Sequence, residues 1–166
     1  MRRLVLILLL MLLTAVPSSA EKLCAEFGPA NDMFCAINGD SGPNWFVFTG
    51  CEDIMTIEPP DTEHIIESLS ASHSGRYMAI LSSGEGHPVL GLYLTDKLDY
   101  GETPEVERIF NPYPGHLMFQ RWEKETLFFE SNYPFDLDKR HPVPAQLSAN
   151  FSFAYDTQTG ELIRLP

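Results

Sequence analysis

The chain has 166 residues, of which 11 are basic and 23 acidic, so its formal net charge is −12. This charge argues against a nucleic-acid-binding protein, which needs an excess of Lys and Arg to displace counterions from phosphates. After the first twenty residues, no apolar run approaches the roughly 20 residues that a membrane-spanning helix needs. We therefore expect one acidic domain of ordinary size that is not embedded in a membrane.

The first twenty residues have the three parts of an export signal. Arg2 and Arg3 give the positive start, Leu4–Leu13 the apolar run, and Ser18–Ala20 the small residues of a cleavage site. The apolar run is too short for a membrane anchor. We predict cleavage after Ala20 and export to a periplasm or out of the cell. Removing twenty residues, two of them basic and none acidic, leaves 146 residues with a net charge of −14.

The three cysteines, Cys24, Cys35 and Cys51, all lie in the first part of the mature chain. Export permits disulfides, and three thiols allow three alternative single bridges among which the sequence does not choose. No Cys-x-x-Cys pair is present, which argues against a zinc site or a redox pair. We predict one disulfide bond that cross-links this segment.

Short runs of aromatic and β-branched residues, separated by clusters of Gly, Pro, Asn, Asp and Ser, predict β-strands. One short stretch, Thr62–Leu69, resembles a helix but has no clear amphipathic stripe. The chain is therefore predicted to be all-β. The nine predicted strands are Met33–Ile37, Trp45–Thr49, Ile54–Ile57, Arg76–Leu81, Val89–Thr95, Val106–Phe110, Thr126–Glu130, Phe151–Tyr155 and Glu161–Leu165.

A weak internal repeat is visible in the sequence. Ser72–Ser82 aligns without gaps on Arg121–Ser131, and each segment is a polar turn, a strand and a small polar exit. Met33–Thr49 is a fainter copy, and the spacing of about 45 residues is typical of four-stranded propeller blades. We predict an antiparallel meander of three propeller-like units, with a β-sandwich or barrel as the alternative. The units are predicted near residues 31–60, 70–110 and 117–166.

Two segments, Ser74–Ala79 and Tyr155–Leu162, resemble the blade repeats of secreted β-propellers such as the Tol-system translocation proteins and the prolyl oligopeptidases. The resemblance implies an inner strand for the first segment. It implies an outer hairpin for the second, in which Gly160 takes a positive φ. It informs the fold and not the function. Because propellers usually close with four to eight blades, three units imply a dimer that completes a ring or an open sheet.

No set of residues in the sequence predicts catalysis. Gly39–Pro43 resembles the nucleophile turn of serine proteases, but the first histidine lies downstream and one glycine of the pattern is missing. We interpret this segment as a hairpin loop, and we predict no catalytic residue, no cofactor and no metal ion. A zinc site would need histidines that the fold brings together. The histidines occur singly, at His64, His73, His87, His116 and His141.

Two groups of loop residues are candidate partner contacts. Acidic residues cluster after the strand that ends at Thr95, and they suit either a solvated loop or a docking face for a basic partner. Aromatic residues in Pro-rich loops are expected to be exposed contact residues. The acidic candidates are Asp96, Asp99, Glu102 and Glu105, and the aromatic ones are Tyr113, Tyr133 and Phe135.

These features together predict an exported, non-catalytic binding module that contacts a protein or an envelope component. One specific version is an inhibitor or immunity protein that neutralises a basic periplasmic toxin or hydrolase. The rival from another class is a small metal-assisted hydrolase. A homodimer that completes a sheet or a ring is a further expectation.

Overall fold

The computed structural model describes residues 22–28, 32–39, 42–49, 53–58, 64–100, 102–135 and 149–166. In these ranges the chain forms twelve β-strands and one short 3-10 helix, Leu98–Tyr100, which confirms the all-β prediction. No helix in them has the length and apolar character to cross a bilayer. The strands are β1 (Lys22–Phe27), β2 (Asp32–Gly39), β3 (Gly42–Thr49), β4 (Asp53–Ile57), β5 (Ile65–Ala71), β6 (Tyr77–Gly84), β7 (His87–Leu94), β8 (Val106–Phe110), β9 (Leu117–Glu123), β10 (Thr126–Ser131), β11 (Phe151–Asp156) and β12 (Glu161–Arg164).

The strands form three separate four-stranded sheets, each antiparallel and each in chain order. Sheet 1 contains β1–β4, sheet 2 contains β5–β8 and sheet 3 contains β9–β12. Neighbouring strands are therefore consecutive in the chain, so each sheet is a meander. None of the three sheets closes on itself into a barrel.

The interpretation of Thr62–Leu69 as helix-like is wrong where the structure describes this stretch. Residues from Ile65 onward form β5, which pairs with β6 from Ile65 opposite Ser83 to Ala71 opposite Met78. A bulge between Ile66 and Ser68 interrupts the two-residue alternation that identifies a strand in a sequence. Pairing with β6 stabilises the extended form of a segment whose own pattern is ambiguous.

Sheet 2 lies between the other two sheets, and both faces of its strand β6 are buried. The residues of β6 alternate between two hydrophobic cores: Met78 packs with sheet 1, and Ala79 packs with sheet 3. Because both faces are covered, five consecutive residues of β6 are buried. Each fully buried large side chain contributes roughly 1.5–3 kcal/mol. The largest of these are Trp45 and Phe34 in the core of sheets 1 and 2, and Phe110, Phe129 and Phe153 in the core of sheets 2 and 3.

Sheets 2 and 3 repeat the same contact at the end of their third strands. The hydroxyl of buried Thr95 donates to the carbonyl of Gly75 (2.6 Å), and its N–H donates to the carbonyl of Arg76 (3.0 Å). In sheet 3, the hydroxyl and the N–H of buried Thr157 both donate to the carbonyl of Glu125 (2.9 and 3.2 Å). The hydrogen bonds of each threonine connect the end of the third strand to the turn before the second strand.

Side chains also connect each sheet to the next. Asn38 of sheet 1 pairs with the backbone of Ile66 as a strand would, donating to its carbonyl (2.7 Å) and accepting from its N–H (2.8 Å). Between sheets 2 and 3, the carboxylate of Glu125 accepts from the N–H (2.9 Å) and the hydroxyl (3.0 Å) of Ser74. These polar contacts fix the position of each sheet along its neighbour.

Candidate functional site

Strand β8 is the outer strand of sheet 2, and no described strand pairs with its free edge. Val106 and Ile109 are 40% and 54% exposed. Val106 lies opposite Tyr93 and Ile109 opposite Gly91, with a bulge between the two pairs. Because Gly91 and Tyr93 are two residues apart, Val106 and Ile109 share one face of the sheet. Two apolar side chains therefore lie side by side next to unpaired backbone groups.

An exposed tyrosine precedes this strand in the chain and another follows it. Tyr100, at the end of the short helix before β8, is 78% exposed, and Tyr113, after β8, is 62% exposed. Four of the eight large hydrophobic side chains that are exposed in the described residues fall between residues 100 and 113. Contiguous exposed apolar surface is a common feature of interaction sites, whereas single exposed apolar residues are ordinary. We call Tyr100, Val106, Ile109 and Tyr113 the β8 patch.

Several carboxylates lie close in the chain to the β8 patch. Asp96, Glu102, Glu105 and Glu107 are exposed, and the short helix contains Asp99. The ammonium of Lys97 lies 3.7 Å from the carboxylate of Glu105. Because both side chains are exposed, this ion pair neutralises little of the negative potential that the acidic residues create. The predicted acidic cluster is thus adjacent in the chain to the exposed apolar residues, and the surface attracts cations.

Tyr113 also closes one side of a pocket of about 350 Å³ at the end of the β6–β7 hairpin. Its ring packs edge-on against His87, with the ring centroids 4.7 Å apart. The amide oxygen of Asn111 accepts a hydrogen bond from the Tyr113 N–H (3.0 Å) and shapes the turn that presents the ring. His64 and Glu85 complete the polar lining of the pocket.

Two histidines that no sequence motif connects line the same pocket. Ile65 pairs with Ser83, and Gly84 pairs with His87, so His64 and His87 come to the same hairpin end. His64 packs so closely on Gly84 that a Cβ there would collide with the imidazole. Once the strands are paired correctly, the register alone predicts this proximity. The described residues include no group of three His, Cys, Asp or Glu side chains that could hold a metal ion.

The other two predicted aromatic contacts lie elsewhere. Phe135 is half-buried and packs against the rings of Phe110, Phe129 and Phe153, with centroids 5.5–6.0 Å apart. Tyr133 is also half-buried and packs edge-on against Phe135 at 5.1 Å. These two rings extend the core between sheets 2 and 3, and neither lines the pocket of Tyr113.

The predicted single disulfide is confirmed as Cys24–Cys35, which is one of the three pairings that the sequence allows. The two residues lie directly opposite each other on β1 and β2 and enclose a short loop. Cys51 lies outside the described residues, as do the predicted signal segment and His141.

The segment that resembles a protease turn lies at the β2–β3 hairpin. The two strands pair as far as Gly39 opposite Gly42, which fits the hairpin interpretation. Asp40 and Ser41 lie outside the described residues.

The fold and the β8 patch define an all-β protein in which three four-stranded antiparallel sheets stack face to face. Comparison of the chain with models of protein families, with curated proteins and with solved structures finds no match.

Proposed function

We propose that this chain is an exported, non-catalytic binding module that holds a protein partner on the β8 patch. The observation that carries the proposal is the pair of exposed apolar side chains on the open strand β8, with exposed tyrosines that precede and follow the strand in the chain. A free edge offers unpaired N–H and C=O groups to an added strand, and its side chains supply selectivity. Tyrosines at both ends give a large contact area at a low entropic cost.

The charge around the β8 patch favours a basic partner. Asp96, Glu102, Glu105 and Glu107 are all exposed next to it, and the predicted mature chain carries −14 overall. Complementary charge accelerates encounter and selects against acidic proteins. An inhibitor or immunity protein against a basic toxin or hydrolase is the specific form of this function that the charge suits best. The disulfide fits an exported protein, because such bridges persist in oxidising compartments.

The three sheets are propeller-type blades in this proposal. Support comes from their first strands, because β1 contacts β5 and β5 contacts β9, as inner strands do around a propeller axis. The third strands add support, since the N–H groups of Thr95 and Thr157 donate to equivalent carbonyls, those of Arg76 and Glu125, in two successive sheets. In such a stack, β8 is an outermost strand, accessible to a partner.

A binding experiment with matched variants tests the proposed site. The mature chain is immobilised, proteins of an envelope extract are passed over it, and the retained protein is identified and titrated. Val106→Thr with Ile109→Thr keeps the strand propensity of β8 but removes its apolar surface, and should weaken binding about tenfold or more. Ile163→Thr is the control, because Ile163 is similarly exposed on β12, the outer strand of sheet 3.

The charge part of the proposal has its own variants. Glu102→Gln with Glu105→Gln should weaken binding and flatten its dependence on salt, because screened charges contribute less at high ionic strength. Glu123→Gln with Glu161→Gln removes the same charge from sheet 3 and should have little effect. Equal binding by all these variants, or retention of no protein at all, would contradict a binding site at β8.

A second candidate function, a small metal-assisted hydrolase, has one observation in its favour and one against it: His64 and His87 line the same pocket, but the described residues include no group of three side chains that could hold a metal ion. Metal analysis of the purified protein tests it. Stoichiometric zinc that is lost in His64→Ala and His87→Ala would favour the hydrolase over the non-catalytic module.

A further inference from the structure

Sheets 2 and 3 each pack on the preceding sheet through residues at equivalent positions of their strands. In sheet 2 these residues belong to the core shared with sheet 1, and in sheet 3 they belong to the core shared with sheet 2. The strand register makes the correspondence unambiguous, because the members of each sheet pair with one another in the same way. The equivalent residues are Met78 and Leu127, Ile80 and Phe129, and Tyr93 and Tyr155.

Sheet 1 has the same kind of face, but no described sheet precedes it. Its β2–β3 hairpin, with Gly39 opposite Gly42, superposes in register on the β6–β7 hairpin, with Gly84 opposite His87. The face so identified is largely apolar in β2 and β3, and its apolar residues belong to neither core cluster. Ile54 on it is 64% exposed. The apolar residues of this outer face of sheet 1 are Met33, Cys35, Ile37, Phe46, Phe48 and Ile54.

The opposite end of the stack has a more charged face, although Met118, Phe128 and Ile163 also lie on it. Leu81 and Leu90 of sheet 2 pack on sheet 3, whereas the equivalent positions in sheet 3 are Glu130 and Ser152. Arg121 and Glu123 form an exposed ion pair (2.7 Å) at the same end. Sheet 3 therefore terminates the stack in solvent, while the outer face of sheet 1 retains the composition of a covered face. The remaining charged residues of this outer face of sheet 3 are Asp156 and Glu161.

We propose that a second copy of this chain covers the outer face of sheet 1, so that two copies associate through identical faces. The charge pattern of β1 selects this occupant. Lys22 and Glu26 lie two residues on either side of Cys24, on the same face of the sheet. Consider a two-fold axis between the two sheets, perpendicular to the strands and level with Cys24. It places each Lys22 over the Glu26 of the other copy and joins two apolar surfaces.

This arrangement differs from a closed ring of six blades. A ring would pack the outer face of sheet 1 against the outer face of sheet 3, and would bury the charges of Arg121, Glu123 and Glu130 against an apolar surface. Burial of the Arg121–Glu123 ion pair and of the Glu130 carboxylate would carry a desolvation cost that an apolar surface does not offset. The face-to-face dimer leaves these charges in solvent. It also leaves the β8 patch on sheet 2 accessible.

Light scattering after size-exclusion chromatography, over a range of protein concentrations, tests the dimer. Ile54→Lys places a charge on the outer face of sheet 1, and the dissociation constant should rise about tenfold or more. Ile163→Lys is the matched control, because Ile163 is 46% exposed on the outer face of sheet 3 and should leave the dimer unchanged. A monomer at every concentration overturns the proposal, and so does a dimer that only Ile163→Lys weakens.

A charge exchange tests the two-fold geometry. Lys22→Glu places two carboxylates together at each end of the contact and should weaken the dimer. Lys22→Glu with Glu26→Lys restores opposite charges across the axis, so the double variant should recover the dissociation constant of the natural chain. Failure of the double variant to recover, while circular dichroism shows both variants folded, overturns this geometry.

Discussion

Lys124 has the same left-handed backbone conformation as Gly75, which lies 49 residues before it, with φ of 56° and 72° respectively. Each residue lies two positions before the second strand of its sheet. The surroundings differ, however. A Cβ on Gly75 would collide with the backbone of Gly28, which explains why glycine is required in the turn of sheet 2. The turn of sheet 3 accommodates a lysine side chain and incurs only the backbone strain.

Substitutions at these two positions should therefore have opposite effects on stability. Gly75→Ala combines a positive φ with a backbone collision, so it should lower the free energy of unfolding by roughly 2 kcal/mol or more. Lys124→Gly relieves the left-handed strain and should raise this free energy by about 0.5–1 kcal/mol, after the greater unfolded-state entropy of glycine is subtracted. Urea unfolding measures both effects. A Gly75→Ala variant as stable as the natural chain would show that the two turns are equivalent in packing as well as in backbone.

The sequence predicted the last three strands of every sheet and missed the first. Six of the nine predicted strands fall within strands of the structure and three extend one residue beyond, at Arg76, Thr95 and Leu165, whereas β1, β5 and β9 were not predicted. Bulges disturb the apolar alternation of two of the missed strands, between Ile66 and Ser68 in β5 and beside Phe119 in β9. In β1, buried Phe27 is the only large aromatic residue. Their strand form depends on pairing with the next strand, which local pattern rules do not include.

The candidate site was predictable only in part for the same reason. The acidic cluster and Tyr113 stand out in the sequence because charge runs and loop aromatic residues are local signals. The alignment of Val106 with Ile109 on one face depends on a bulge, and the proximity of His64 to His87 depends on register. Neither property can be obtained from spacing along the chain alone.

The two buried threonines should both stabilise the fold, and by the same type of hydrogen bond. Thr95→Val and Thr157→Val keep the shape of the side chain but remove the hydroxyl that donates to a carbonyl before the second strand. Each should lower the free energy of unfolding by about 1–2 kcal/mol, the typical effect of losing a buried hydrogen bond. Thr103→Val is the control, because Thr103 is exposed and its hydroxyl also donates to a carbonyl, that of Glu58. A loss confined to one of the two sheets would argue against equivalent roles in the repeat.

The Cys24–Cys35 bridge should stabilise sheet 1 mainly by restricting the unfolded chain. It closes a loop between residues 11 apart, so Cys24→Ser with Cys35→Ser should cost about 2–3 kcal/mol. Urea unfolding of the natural and double-variant chains measures this difference. Mass spectrometry of peptides from the unreduced protein tests the pairing itself. A linkage of Cys51 to either of the other two cysteines would contradict it.

Alkaline pH should destabilise the core between sheets 2 and 3 through Tyr155. Burial raises the pKa of the Tyr155 phenol above its usual value of 10.0, and the carboxylate of Glu107 raises it further, while Arg108 lowers it. The unfolded chain then loses this proton at a lower pH than the folded chain does. The neutral phenol therefore makes its full contribution to the free energy of unfolding below about pH 10. This contribution is lost as the pH rises through the folded-state pKa.

Urea unfolding at several pH values between about 8 and 11 measures this loss. Tyr155→Phe should show a shallower decline in stability, because a phenyl ring cannot ionise. Tyr113→Phe removes an exposed phenol and should follow the natural chain. Glu107→Gln should make the decline of the natural chain smaller, because removing the carboxylate brings the folded-state pKa of Tyr155 closer to that of the unfolded chain. Parallel declines in the natural chain and in Tyr155→Phe would mean that alkaline unfolding arises from other groups, and that the buried phenol does not ionise in this range.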